Sequence, residues 1–151
     1  MKKYHLKWLA LAAVCCIAAF ILMGAARDPQ QQMVENLLKT RTDVMENVLF
    51  GKITYEEGKE QLKEIEGETL YRKDLQSLQQ YEATDLDRVL DMEILSFVRK
   101  SDLYGIMTFA TELRWTCEGY EGVYHETGKY QISVAEKEDR YRLISMELQE
   151  E

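Results

Sequence analysis

Met107-Thr108-Phe109-Ala110-Thr111-Glu112-Leu113-Arg114-Trp115-Thr116-Cys117 decides the fold class. Met107, Phe109, Leu113, Trp115 and Cys117 alternate with Thr108, Glu112, Arg114 and Thr116. Alternation of this kind sends one set of side chains to a buried sheet face and the other to water. The same pattern flanks the stretch on both sides. Upstream, Leu90, Met92, Ile94 and Val98 alternate with Asp91, Glu93 and Arg99; downstream, Tyr130, Ile132 and Val134 alternate with Gln131 and Ser133. After the polar turn Glu136-Lys137-Glu138-Asp139, residues 141–148 supply a fourth strand. Sequential strands with short polar connections predict an antiparallel meander whose apolar face needs a cover.

The chain before the meander supplies that cover. Met33, Val34, Leu37, Leu38, Val44, Met45, Val48 and Leu49 fall at helical spacing, and Gly51 closes the helix. Thr54-Tyr55-Glu56-Glu57 is a capping box that starts a second helix with Tyr55, Leu62 and Ile65 inward, ending near Gly67. Residues 69–81, with Leu70, Leu75 and Leu78, predict a third helix, and Thr84-Asp85-Leu86-Asp87 a capped turn. The fold class is therefore α+β: a helical hairpin packed on a four-stranded antiparallel meander. Leu37, Leu38, Val44 and Val48 are expected to cover the sheet face that carries Trp115.

Location is read from the amino terminus. Residues 8–26 run nineteen positions without a charge, behind Lys2, Lys3 and Lys7. As a helix they would span roughly 28 Å, close to a bilayer's hydrocarbon thickness. The lysines keep residues 1–7 cytoplasmic and export the rest, so residues 27–32 become a tether and 33–149 an extracytoplasmic domain. The competing reading is a signal peptide cut after Ala26, because Gly24-Ala25-Ala26 fits a small-x-small site. The domain would then be secreted. Cys15 and Cys16 sit inside the apolar run after Ala12-Ala13-Val14, a poor approach to a lipidated cysteine, and read as small lipid-facing residues.

Charge excludes partners. After residue 26 there remain 16 Lys+Arg and 27 Asp+Glu, a formal charge of −11 that repels phosphate backbones and anionic headgroups. Nucleic acid is not an expected partner. Past the membrane segment Cys117 is the only cysteine, so no internal disulfide forms there, and its strand parity predicts a buried thiol.

No residue set points to a reaction, and no catalytic, cofactor or metal site is assigned. His125, beside Glu126 and Thr127, lies on a stretch read as turn-rich and exposed, without His or Cys partners for a metal. Asp85, Asp87, Asp91 and Glu93 lack the glycine and terminal glutamate of a calcium loop and read as caps and solvated strand face. Two candidate sites do emerge. Tyr104, Trp115, Tyr124, Tyr130 and Tyr141 could line a ligand pocket between sheet and helices. Gly119-Tyr120-Glu121-Gly122 places an aromatic on a loop tip suited to a protein contact.

The turn Gly51-Lys52-Ile53-Thr54-Tyr55-Glu56-Glu57 resembles that of short bacterial helical-hairpin modules of the SHOCT type. Helices followed by a meander over residues 33–148, with Lys129-Tyr130-Gln131-Ile132-Ser133-Val134 leading into Arg140-Tyr141-Arg142-Leu143-Ile144, resemble the cystatin-like and nuclear-transport-factor-like (SnoaL-like) α+β group. That resemblance implies an assembly or recognition module on a single membrane helix of a bacterial-type envelope. The expected function is protein interaction at the membrane, and the alternative is an exported module binding a small apolar ligand.

Overall fold

The first two helices begin where the chain supplies its own cap. Asp28 accepts the Gln30 amide on its carboxylate and the Gln32 amide on its carbonyl, both at 2.9 Å, with Pro29 at the first helical position. Helix α1, Pro29–Leu49, therefore starts inside the stretch expected to be a tether. The computed structural model describes residues 28–80 and 87–149. The apolar run 8–26 and the turn residues Thr84, Asp85 and Leu86 lie outside the described residues. Among the described residues no helix is long and apolar enough to cross a membrane.

Gly51, at φ +69°, ends α1 in the left-handed conformation, while the amides of Lys52 and Ile53 return to the Asn47 carbonyl at 2.8 and 3.1 Å. Helix α2, Tyr55–Ile65, opens on the expected capping box: Thr54 Oγ1 accepts the Glu57 amide, and Glu57 Oε2 accepts the Thr54 amide at 2.8 Å. Glu66 is extended, and the Gly67 amide donates to the Leu143 carbonyl at 2.7 Å before helix α3, Glu68–Gln80, begins.

The meander forms as expected. Strands β1 (Arg88–Leu103), β2 (Ile106–Gly119), β3 (Gly122–Lys137) and β4 (Arg140–Leu148) lie side by side in chain order, all antiparallel. Two-residue turns join them. Tyr104-Gly105 and Glu138-Asp139 have positive φ at both central residues, the backbone twist that matches the flanking strands.

Phe109, Leu113, Ile132, Val134 and Leu143 form the floor of one core, under Val34 and Leu38 of α1 and Leu70 of α3. Phe97 stacks on Phe109 with ring centroids 4.5 Å apart. Val44 and Val48 do not cover the sheet. They build a second cluster with Leu62 and Leu78 among the helices, because the apolar stripe of α1 winds away from the sheet towards α2 and α3.

Strand β1 departs most from its expected pattern. Its register slips between Val89/Asp91, Ile94/Ser96 and Arg99/Ser101, so Leu90, Leu95 and Lys100 are extra residues in the ladder. Each bulge inverts the alternation. Met92 and Ile94 still turn inward and Phe97 joins them, whereas Leu90 and Val98 stand exposed. Bulges also blunt β1 as a free edge.

Candidate functional site

The sheet is longer than its helical cover, and a cleft opens at the carboxyl end of α1. Met45, Leu49 and Phe50 form one wall. Trp115 and Cys117 from β2 and Tyr130 from β3 form the floor, with Val89 and Asp87 beside the start of β1. The space is about 350 Å³, within the range of small-ligand sites. Glu46 Oε1 accepts the Val89 amide at 2.5 Å and fixes α1 against the first strand. Trp115 is half-buried and pairs in register with Glu126, which stands at the rim.

The rim continues into the β2–β3 hairpin. Tyr124 donates its hydroxyl to Asp87 Oδ2 at 2.7 Å, and that bond, with burial and the charge of Asp87 adding to it, pushes the phenol up to about 12. A Cβ on Gly119 would meet Asp87 Oδ1 at 2.8 Å, so a side chain there would push the carboxylate aside from the hairpin. The turn pairs Gly119 with Gly122 and leaves Tyr120 and Glu121 at its tip, Tyr120 fully exposed. Cys117 lies on the covered face as its parity predicts, 7% exposed. Burial raises its thiol above the ordinary value, against a lowering hydrogen bond from Tyr124.

Of the five aromatic candidates, Trp115 and Tyr130 meet in the cleft and Tyr124 stands at its rim. The other two lie elsewhere. Tyr104 occupies the β1–β2 turn, fully exposed in the left-handed conformation, because the strands run on to a two-residue turn there. Tyr141 sits at the start of β4, in a shallow surface recess with Met33, Leu37 and Ile65. His125 and Thr127 are not on a turn but within β3; the His125 ring contacts Thr116 Oγ1 at 3.0 Å on the exposed sheet face. Glu93 pairs with Arg114 across that face, while Asp91 lies 3.7 Å from Lys39 Nζ.

A buried ionic group behind the cleft was not expected from the sequence. Arg41, which lines the cleft, donates Nε and Nη2 to the two carboxylate oxygens of Asp74 at 2.5 and 2.7 Å. Burial lowers the guanidinium's proton affinity, but Asp74 and then Glu66 outweigh it and hold Arg41 above its ordinary value. Glu66 Oε1 is 3.3 Å from Arg41 Nε, yet that N–H is committed to Asp74 and neither Glu66 oxygen accepts a hydrogen bond. Burial first, then the neighbouring Asp74 carboxylate, push Glu66 up to about 9 against the pull of Arg41. One guanidinium thus faces two acids, and the fold favours the protonated form of Glu66.

No family model matches the chain, and no curated protein matches it. Solved structures do. One is the crystal structure of the intermembrane space region of the chloroplast protein ARC6, 10% identical, covering 82% of this chain and 97% of that one, with a TM-score of 0.45.

Proposed function

We propose that this chain is an extracytoplasmic protein-interaction module of a bacterial-type envelope protein, held at the membrane by residues 8–26, with its contact surface at the β2–β3 hairpin and the adjoining cleft. One observation carries the reading: a tight glycine-flanked turn presents Tyr120 wholly to solvent beside an apolar cleft, with Asp87 bordering both. A tyrosine on a short turn offers contact area at small entropic cost, which suits a protein interface. The lysines preceding the apolar run support the orientation. Kinship with the cystatin-like and nuclear-transport-factor-like group, and of the hairpin turn with SHOCT modules, belongs to the same proposal and is supported by the order of elements and the capping box.

Site-specific photo-crosslinking of the full chain in membranes tests it. A crosslinker at Tyr120 should yield one stoichiometric protein adduct, and one at Tyr104, equally exposed on another turn, should not. Adducts at both positions, or at neither, would sink the proposal.

The cleft favours a second reading, a small apolar ligand held on Trp115 and Tyr130. A lipid or other apolar molecule in stoichiometric amount on the purified protein would select that reading.

A further inference from the structure

The cleft combines an apolar interior with an acidic rim. Trp115, Tyr130, Met45 and Leu49 make its floor and wall apolar, while Glu46, Asp87 and Glu126 surround them with carboxylates. Arg41 is the cation among these lining residues, and its bidentate pairing with Asp74 already balances its charge. Glu46 and Asp87 accept hydrogen bonds from neutral donors, the Val89 amide and the Tyr124 hydroxyl. Those bonds fix the carboxylates in place and leave their negative charge uncancelled. Glu126 lies directly across the ladder from Trp115 and is exposed.

An apolar side chain resting on the Trp115 ring would bring its neighbouring residue beside Glu126. A cation there gains a carboxylate partner and the negative face of the indole; an anion meets repulsion from three directions. The domain's formal charge of −11 after residue 26 steers partners of positive charge towards it. Resting on the protein-interaction reading, we infer that the cleft receives a protein segment in which a bulky apolar residue stands next to Lys or Arg. A neutral apolar molecule would fill the floor and make no use of the acidic rim.

The test uses the full chain in phosphatidylcholine nanodiscs with Trp8→Phe, which leaves Trp115 as the only tryptophan. Its emission is titrated with three acetylated, amidated peptides: Lys-Leu-Phe-Lys, Glu-Leu-Phe-Glu and Lys-Ser-Ser-Lys. The first should shift Trp115 emission saturably and weaken as salt rises. The second should bind at least about tenfold more weakly, since like charge across an interface is repulsive. The third should leave the emission unchanged, and Glu126→Gln should weaken the first several-fold. Glu126 is an exposed strand residue, so the variant keeps its fold. Equal binding of the first two peptides, binding of the third, no binding at all, or indifference to Glu126→Gln overturns the inference. A single Tyr120 adduct accompanying any of those results would leave the protein-interaction reading standing and remove only its charge rule.

Discussion

Arg41 and Asp74, 33 positions apart, join the middle of α1 to the middle of α3 through two parallel hydrogen bonds of 2.5 and 2.7 Å. The pair lies between the two apolar clusters, with Asp74 3% exposed, so the Asp74 carboxylate cannot turn to water if Arg41 is lost. Arg41→Met should therefore cost about 3–5 kcal/mol, the usual loss when one partner of a buried pair is stranded. Arg41→Met with Asp74→Leu should recover most of that loss, because a buried pair adds little net stability over apolar replacements. Chemical denaturation of wild type and both variants checks this. A single-mutant loss under about 1 kcal/mol would mean that water reaches the pair.

Glu66 gives that interior a pH dependence of defined sign. Its carboxyl holds its proton up to about 9 in the folded chain and to the ordinary 4.5 when unfolded. Between those values the folded state binds the extra proton, so stability falls as pH rises, by at most about 1.4 kcal/mol per pH unit. The contribution is complete below 4.5 and gone above about 9. Glu66→Gln keeps the shape without the ionisation. The difference in unfolding free energy between variant and wild type should grow in the variant's favour from pH 5 to pH 9. A constant difference across that range would show that Glu66 ionises normally.

A glycine contact sets the spacing of α1 and α2. A Cβ on Gly58 would stand 2.1 Å from Val48 Cγ2, and Val48 is a stiff β-branched side chain in a helix. Alanine gains about 1 kcal/mol in helix propensity at such a site, but forcing a methyl group into packed space costs about 1–3. Gly58→Ala should lower stability by about 1 kcal/mol on balance, read as a shift in denaturation midpoint without a change in slope. A stabilised variant would show that the helices separate freely.

The meander, the helical hairpin and the inward parity of Phe109, Leu113 and Cys117 were legible because each rests on local periodicity or turn chemistry. The bulges of β1 were not. An extra residue such as Leu95 is apolar like its neighbours, and only pairing with β2 reveals that it has left the ladder. The buried ionic group left a trace that periodicity alone discards. Arg41 falls in the inward phase of α1 with Val34, Leu38 and Val48, and Asp74 lies midway between Leu70 and Leu78 on α3. Opposite charges on two inward stripes announce a buried pair. Glu66 gave no such sign, since its burial comes from the bridge its backbone makes with Leu143. The cleft was half legible: Trp115 and Tyr130 share a sheet face, but Met45, Leu49 and Phe50 reach it only because the sheet outruns its cover.

Cys117 sits at the cleft floor, buried, with its thiol raised by that burial, so little thiolate forms at neutral pH. Modification of Cys117 by a charged maleimide, followed peptide by peptide in the mass spectrometer, should be slow in the native protein and fast in denaturant. Tyr124→Ala removes the side chain hydrogen-bonded to Asp87 at the rim and should accelerate labelling without unfolding the protein. Rapid native labelling of wild type would place the thiol in water.

Trp115 tests whether the cleft is a site or an unfinished piece of core. Its parity with Phe109 and Leu113 leads to the expectation of full burial under the helices, where truncation costs about 3–5 kcal/mol. Instead it is half-buried, packed on the core by one side and open to the cleft on the other. The area lost on truncation is correspondingly smaller, and Trp115→Ala should cost about 1–2 kcal/mol. The open side makes a second demand. With Trp8 replaced by Phe, emission of the folded protein should be red-shifted relative to a fully buried indole and should move to the blue when an apolar group enters the cleft. A loss of about 3 kcal/mol or more, with emission already blue and unresponsive to apolar additives, would mean that the cleft closes over Trp115 in solution. Stability and fluorescence answer together because one ring face contributes to each.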